Sequence, residues 1–255
     1  MDLLLPTEGL QKYKSASQRA RISSESWGAR NLYCLCCDCS RLTPLPGNTP
    51  AFDYRCPQCD TGFQLKSSAK PFGRRLLDGA YSKMRAAILH DGTPHFLLMS
   101  YALDSLRIQN LLCIPDFALT ESVLEKRKPL AATARRAGWV GCNILLDRIP
   151  ADARISIVKE NHAVAPEEVR RAYRRLQPLA SLKLEKRGWT LDVLNIVRSL
   201  NKSEFHLAEV YAFEQRLLEL HPKNSHIRDK IRQQLQVLRD LGLLTFLGDG
   251  SYRFN

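Results

Sequence analysis

The sequence predicts a mixed α/β (α+β) first domain followed by a smaller helical domain that ends in a β-hairpin. Two observations carry this. Apolar, β-prone runs and helical patterns are interspersed up to residue 182. Beyond it the apolar spacing is helical until a final glycine-punctuated pair of strands. A third observation, six cysteines crowded into Cys34–Cys59, predicts a metal in the first domain.

Each element has its own signal. Leu10, Tyr13, Ile22 and Trp27 stand among Lys, Arg, Ser and Gln, which predicts helix within the first thirty residues. Thr43-Pro44-Leu45-Pro46-Gly47-Asn48 reads as turns. Leu76–Leu89 has a helical apolar pattern, whereas Phe96–Tyr101, Arg107–Ile114 and Arg154–Val158 read as strands. Pro166–Leu176 reads as a helix, with Pro166 near its start and Glu167 and Glu168 suited to the dipole. Gln177–Gly188 reads as the linker, which divides the chain into 1–182 and 183–255. Helices are then expected over Thr190–Leu200, with Thr190 as N-cap, over Leu207–Leu220 and over Ser225–Leu241. In the last, Ile227, Ile231, Leu235 and Leu238 share one face. Leu243–Leu247 and Ser251–Phe254 flank Gly248-Asp249-Gly250, a hairpin signal. Three helices and a hairpin give the order of a winged helix.

Of the 255 residues, 38 are Lys or Arg and 26 are Asp or Glu, a net charge of +12. Such a chain usually meets nucleic acid or an anionic membrane. Residues 1–184 carry +10 of the excess and residues 185–255 carry +2, so the grip on phosphates is expected mainly from the first part. No apolar run reaches the ~18 residues that cross a bilayer, so no membrane partner is expected. Met1–Pro6 has an acidic second residue and lacks the basic start of a signal peptide, so a cytoplasmic address is expected. There, eight cysteines argue for metal and against disulfides.

Cys34-x2-Cys37 and Cys56-x2-Cys59 are separated by 18 residues. A two-residue gap lets the chain curl so that both sulfurs reach one ion, and four thiolates suit tetrahedral, structural Zn2+. By spacing alone, Cys36-x2-Cys39 serves equally well as the first pair. Cys113 and Cys142 stand in apolar context and are expected in the core.

The second cysteine pair interrupts two strand-like segments, Phe52–Arg55 and Thr61–Lys66, which places the metal at the turn of a hairpin. Gln64 and Lys66 project from one face of their strand, and Asp53 joins them if it faces the same way. Asp…Gln-x-Lys is a variant of the PD-(D/E)xK nuclease pattern. Phosphodiester hydrolysis needs oxygen ligands for a hard divalent cation, and a cation that orients or deprotonates the attacking water. Asp…Gln-x-Lys is also a common arrangement on a solvated strand face.

Longer words add context. They are Tyr13-Lys14-Ser15 with Ser17-Gln18 and Ala20-Arg21-Ile22, Leu65-Lys66-Ser67, and Lys128-Pro129-Leu130-Ala131. Thr133-Ala134-Arg135-Arg136-Ala137-Gly138-Trp139 and Gly141-Cys142-Asn143-Ile144 follow, then Arg187-Gly188-Trp189-Thr190 and Ile231–Gln236. On these the chain resembles the DpnI-type methyl-directed (type IIM) restriction endonucleases, from Tyr13 to Phe254. The resemblance implies a PD-(D/E)xK nuclease-like domain with an inserted zinc site and a winged helix that also reads DNA. It implies a divalent-metal-dependent type II deoxyribonuclease that cuts double-stranded DNA at adenine-methylated GATC. By the same likeness Asp53, Gln64 and Lys66 are catalytic, and Asp53, Gln64 and the Leu65 carbonyl hold Mg2+ or Mn2+. Cys34, Cys37, Cys56 and Cys59 hold Zn2+, and a monomer suffices because two readers share one chain. One departure matters: the family has Glu at position 64, and Gln64 removes a negative charge. An alternative follows from it, a catalytically impaired reader or regulator of adenine-methylated DNA. A zinc-ribbon and winged-helix transcription factor without methyl preference is a third reading.

The methyl of a modified adenine projects into the major groove, where apolar or aromatic surface can touch it. Trp139 is the candidate, with Arg135 and Arg136 beside it for phosphates or guanine. In the winged helix, Ser225, His226, Arg228, Lys230 and Gln233 lie off the apolar stripe of the third helix and are expected to enter the groove. Arg232 and Arg239 suit phosphates or solvent, and Tyr252 and Arg253 on the wing suit the DNA backbone.

Overall fold

A computed structural model describes residues 1–47 and 49–255. Asn48, the last residue of the expected turn, lies outside the described residues. The helices are α1 (Ala16–Asn31), α2 (Tyr81–Leu89), α3 (Pro166–Leu176), α4 (Leu184–Ser199), α5 (Leu207–Tyr211), α6 (Glu214–Leu220) and α7 (Ile227–Asp240). The strands are β1 (Thr43–Pro44), β2 (Tyr54–Arg55), β3 (Gly62–Ser68), β4 (Arg75–Ala80), β5 (His95–Tyr101), β6 (Ile108–Ile114) and β7 (Leu124–Lys126). They continue with β8 (Gly141–Leu145), β9 (Ile155–Lys159), β10 (His162–Ala163), β11 (Glu204–His206), β12 (Leu244–Gly248) and β13 (Ser251–Phe254).

Two compact units interleave along the chain. The first comprises residues 1–73, 91–116 and 153–174, and the second comprises 74–90, 117–152 and 175–255.

The first unit is built on a seven-stranded sheet in the order β1-β2-β3-β5-β6-β9-β10. Its one parallel pair is β3 with β5, and the other neighbours are antiparallel. β5 is central, and every residue from His95 to Tyr101 is buried, which explains its unbroken apolar run. Helix α1 packs against β3, where the Ser67 and Ser24 hydroxyls meet at 3.0 Å. Trp27 of α1 is 1% exposed, and its indole N–H donates to Asp2 O at 2.9 Å. Burying each side chain such as Trp27, Phe63 or Ile108 stabilises this unit by roughly 1.5–3 kcal/mol.

In the second unit, β4, β8 and β7 form an antiparallel sheet. Sequence periodicity predicts helix from Leu76, but the chain runs as strand to Ala80 and only then as α2. The reason is pairing with β8: Leu76 is buried and Leu77 is 63% exposed, an alternation of period two. Arg75 on this sheet donates to Glu125 at 2.9 and 3.0 Å, and Asn143 donates to it at 2.7 Å. The Arg75 and Asn143 hydrogen bonds, in that order, hold the Glu125 carboxyl down at about 2. A folded-state value below the ordinary one stabilises the fold at pH above ~4.5, and that stability is lost as pH falls towards 2. Glu125 is a third exposed, which limits the gain to less than about 1 kcal/mol. Glu125→Gln is therefore expected to flatten the stability profile between those pH values, as denaturant melts will read.

The same unit contains a winged helix. Ile227, Ile231, Leu235 and Leu238 of α7 are all buried, as their spacing predicts. The helix ends at Gly242, whose φ of 72° lets the Leu243 N–H reach Leu238 O at 2.9 Å. β12 and β13 form the expected hairpin around Asp249-Gly250, and β11 completes a sheet of order β11-β13-β12. Four details differ from the sequence reading. The linker Gln177–Gly188 is a 3-10 turn (Gln177–Ser181) followed by the start of α4. Arg187 there is buried and donates to the Ala180 and Leu182 carbonyls. Thr190 lies inside α4 rather than capping it, because its hydroxyl bonds Lys186 O (2.7 Å) and the buried Gln234 Oε1 of α7 (2.8 Å). The span Leu207–Leu220 breaks at Ala212–Phe213, so that α5 and α6 each pack on α7.

Candidate functional site

The β2–β3 hairpin carries the first cluster. The sulfurs of Cys34, Cys37, Cys56 and Cys59 lie within 4.8 Å of one another. Among the described residues these four form the His, Cys, Asp or Glu group able to hold one metal ion. Each pair closes as a knuckle: the Cys36 N–H points to Cys34 Sγ at 3.3 Å, and the Gln58 N–H to Cys56 Sγ at 3.4 Å. Burial opposes ionisation of Cys56, but the Cys59 and Gln58 amides and neighbouring thiols outweigh it and bring the thiol down to about 6. Burial pushes Cys37 up, and the hydrogen bond with Cys36 pushes Cys34 up. Four converging thiols that cannot all ionise beside one another fit a cation, and the tetrathiolate set suits structural zinc. Arg170 of α3 braces the first knuckle by donating to Cys34 O (3.1 Å), Cys37 O (3.0 Å) and Cys39 O (3.3 Å). The register left open by spacing is Cys34/Cys37: Cys36 Sγ faces His95 and Cys39 Sγ faces Arg41 O. Cys113 and Cys142 are fully buried, as expected.

The second cluster begins three residues before Cys56. Tyr54 pairs with Phe63, so the antiparallel register continued by one residue sets Asp53 across from Gln64. The Asp53 N–H donates to Phe63 O, and its Oδ2 accepts the Leu65 N–H, both at 2.8 Å. Gln64 aligns with Phe96 of the parallel neighbour, and Lys66 lies two positions on along β3 with its Nζ 5.2 Å from the Phe96 ring. Asp53, Gln64, Leu65 and Lys66 are all partly exposed. Burial raises the Asp53 carboxyl above its ordinary range; the Leu65 N–H, Arg21 and Lys66 oppose this, while Glu25 adds to it. Asp53 also lines a cavity of about 120 Å3 with Arg21, Glu25 and Phe52.

Arg21 and Glu25 are neighbours the sequence reading did not single out as site residues. They lie one turn apart on α1, joined at 2.6 Å. Two glycines allow this close assembly. A Cβ on Gly28 would stand 2.3 Å from the Tyr54 hydroxyl, which donates to Glu25 O, and a Cβ on Gly62 would stand 2.3 Å from the Phe52 ring.

A third group lies in the second unit. Residues 131–140 are the second part of the loop 127–140 between β7 and β8, closed by Leu130 N–H to Trp139 O at 2.9 Å. Arg135 and Arg136 are exposed and Trp139 is partly exposed. The Arg136 guanidinium sits 4.8 Å from the Trp139 ring centre. Ser225 and His226 precede α7 at its N-terminal end and are exposed, as is Gln233. Arg228 is tied to Glu214 at 2.8 Å and lies over the Tyr211 ring. Lys230 lies 5.8 Å from the Trp189 ring and 3.0 Å from Gln233 Oε1. Arg232 bonds Asp229 and the Tyr211 hydroxyl. Tyr252 departs from its expected place: it is 7% exposed and stacks on Phe205 at 5.6 Å, so it braces the wing from within. Arg253 is exposed and paired with Glu204.

Comparison with known families gives two matches. The family described as DpnI, Dam-replacing family, matches residues 1–182. The DpnI_C family, described as Dam-replacing HTH domain, matches residues 185–254. Among the described residues no helix is long and apolar enough to cross a membrane.

Proposed function

The chain belongs to the DpnI, Dam-replacing family, and from that premise we propose that it is a methylation-dependent restriction endonuclease. It hydrolyses phosphodiesters of double-stranded DNA at adenine-methylated GATC sites. The observation that carries the catalytic part is the convergence of Asp53 on β3, opposite Gln64 and bonded to the Leu65 amide. That convergence supports a PD-(D/E)xK centre. The Asp53 carboxylate, the Gln64 amide oxygen and the Leu65 carbonyl are hard oxygen donors that would hold Mg2+ or Mn2+. Such an ion supplies Lewis-acid stabilisation of the scissile phosphate. Lys66 would orient the attacking water through its ammonium group, and its charge favours ionised Asp53. The zinc knuckles are structural, since four cysteines leave no open position.

Methyl reading falls to Trp139, which is partly exposed, with Arg135 and Arg136 for phosphate or guanine. Ser225, His226, Arg228, Lys230 and Gln233 serve the winged helix in the major groove. The family boundaries support a division at 182/183 between cutting and winged-helix segments. With both readers on one chain, a monomer is sufficient.

Gln64 favours a second reading, a binder of methylated DNA with an impaired nuclease centre. Restoring the charge with Gln64→Glu separates the two. If the parent is an enzyme, both proteins cut methylated duplexes, and Gln64→Glu needs roughly tenfold less magnesium because a carboxylate binds it more tightly. An inert parent made active by the same change establishes the reader.

A further inference from the structure

Helix α3 carries four arginines and two glutamates among its eleven residues. Val169, Tyr173 and Leu176 are buried and fix its inward face. Arg170 turns inward beside them and is taken up by the Cys34, Cys37 and Cys39 carbonyls. Arg171, Arg174 and Arg175 are exposed. The last two stand three and four residues after Arg171, so the three share one helix face with Cβ atoms about 5–6 Å from that of Arg171. Among the described residues, none of these three side chains makes an ion pair or a hydrogen bond. Exposed arginines elsewhere, such as Arg21, Arg74, Arg75, Arg85 and Arg253, each meet a carboxylate at 2.6–2.9 Å. Glu167 and Glu168 stand in the first turn of α3, and Arg174 and Arg175 lie about 10 Å further along its axis. The negative end of the helix dipole favours cations there, yet three like charges this close repel one another. An anion from outside the chain relieves that repulsion.

We propose that this face of α3 docks on the DNA backbone, with Arg171, Arg174 and Arg175 each taking a phosphate whatever the sequence. The proposal rests on the chain binding duplex DNA, and not on its cutting or its methyl preference. Charge complementarity selects the occupant: three guanidiniums offer forked donors that match phosphate oxygens. Among the described residues of α3 no large apolar side chain is exposed, so the face has charge for a backbone and nothing with which to touch a base methyl. The arginines also occupy the C-terminal half of their helix, whereas a recognition helix reads bases from its N-terminal end. Residues 1–184 carry +10 of the net charge, and α3 places part of that excess where a backbone can meet it.

The test reads duplex affinity against salt for the full-length parent and two triple variants. One combines Arg171→Gln, Arg174→Gln and Arg175→Gln; the other changes the same positions to lysine. Each lost phosphate contact lowers the slope of log K against log salt by ~0.9. The glutamine triple is expected to lower it by about two to three and to weaken binding roughly 10–100-fold at about 0.15 M salt, alike for methylated and unmethylated duplex. The lysine triple keeps the charges and should stay within about threefold of the parent. A control replaces three scattered exposed lysines, Lys12, Lys83 and Lys159, by glutamine, and should move the slope by less than about one. An unchanged slope in the glutamine triple overturns the proposal. So does a control that falls equally far, since net charge then explains the loss, and so does a lysine triple as weak as the glutamine triple. A loss confined to methylated duplex assigns the arginines to methyl reading and overturns it too. Glutamine suits a helix, but should the triple melt early, the three single variants replace it, each expected to lower the slope by about one and each unchanged slope counting against the proposal. A parent that binds no duplex defeats the DNA reading along with the proposal, an outcome distinct from a parent that binds and a variant that keeps its slope.

Discussion

Asp53→Ala and Lys66→Ala are each expected to abolish cutting of methylated DNA while leaving its binding within about threefold. Loss of metal or of the water-orienting cation removes several kcal/mol of transition-state stabilisation, and ~4 kcal/mol is about 10^3-fold in rate. Binding is expected to be spared because neither side chain belongs to the winged helix or the 131–140 loop. Asp53 also accepts the Leu65 N–H, so Asp53→Ala leaves that amide without its partner. Asp53→Asn keeps an acceptor oxygen and removes only the charge. An Asp53→Asn protein that melts like the parent, binds methylated duplex and fails to cut isolates the chemistry. A single-turnover rate within tenfold of the parent for either alanine variant would place the nuclease centre elsewhere.

Stripping the proposed zinc, or replacing one of its proposed ligands by Cys56→Ser, is expected to unfold much of the first unit. One knuckle forms the turn of the β2–β3 hairpin and the other lies between α1 and β1, so an ion held by all four sulfurs would tie the two segments together. Arg170 secures only the first knuckle. Structural tetrathiolate sites contribute folding energy directly. A loss of at least ~3 kcal/mol lowers the melting temperature by about 6–12 °C for a chain of this size. Cutting should fall with it, since Asp53 immediately precedes β2 and Gln64 lies on β3, the two strands joined by the Cys56–Cys59 turn. Melting unchanged after a strong chelator, with cutting fully recovered when magnesium alone is restored, would show that the cluster is a set of reduced thiols.

Regular elements with unbroken periodicity were legible in the sequence. The buried run Phe96–Tyr101, the stripe of α7 and the Gly248-Asp249-Gly250 turn need only local patterns, and the structure has them where those patterns fall. The elements that escaped depend on partners distant in sequence. Leu76–Ala80 becomes strand because β8 pairs with it, and a helical count cannot register a neighbour some 65 residues away. Arg187 and Thr190 resemble linker and cap residues, yet both are buried among carbonyls or Gln234. At the site, two cysteine pairs at metal-binding spacing and a hairpin turn between Asp53 and Gln64 were legible, whereas the choice of Cys34/Cys37 over Cys36/Cys39 and the Asp53–Leu65 bond needed the fold. Arg21 and Glu25 needed it too, because only the fold brings α1 alongside β2. Cys36 was unaccounted for in the sequence for the same reason: its partner His95 lies on β5.

The most direct measurement is a digest of one plasmid prepared from adenine-methylating and non-methylating hosts, with magnesium or manganese, resolved on a gel. The account requires discrete fragments from the methylated plasmid alone, lost when EDTA removes the divalent ion. No cutting of either plasmid with either metal, alongside selective binding of the methylated one, contradicts it and makes the protein a reader.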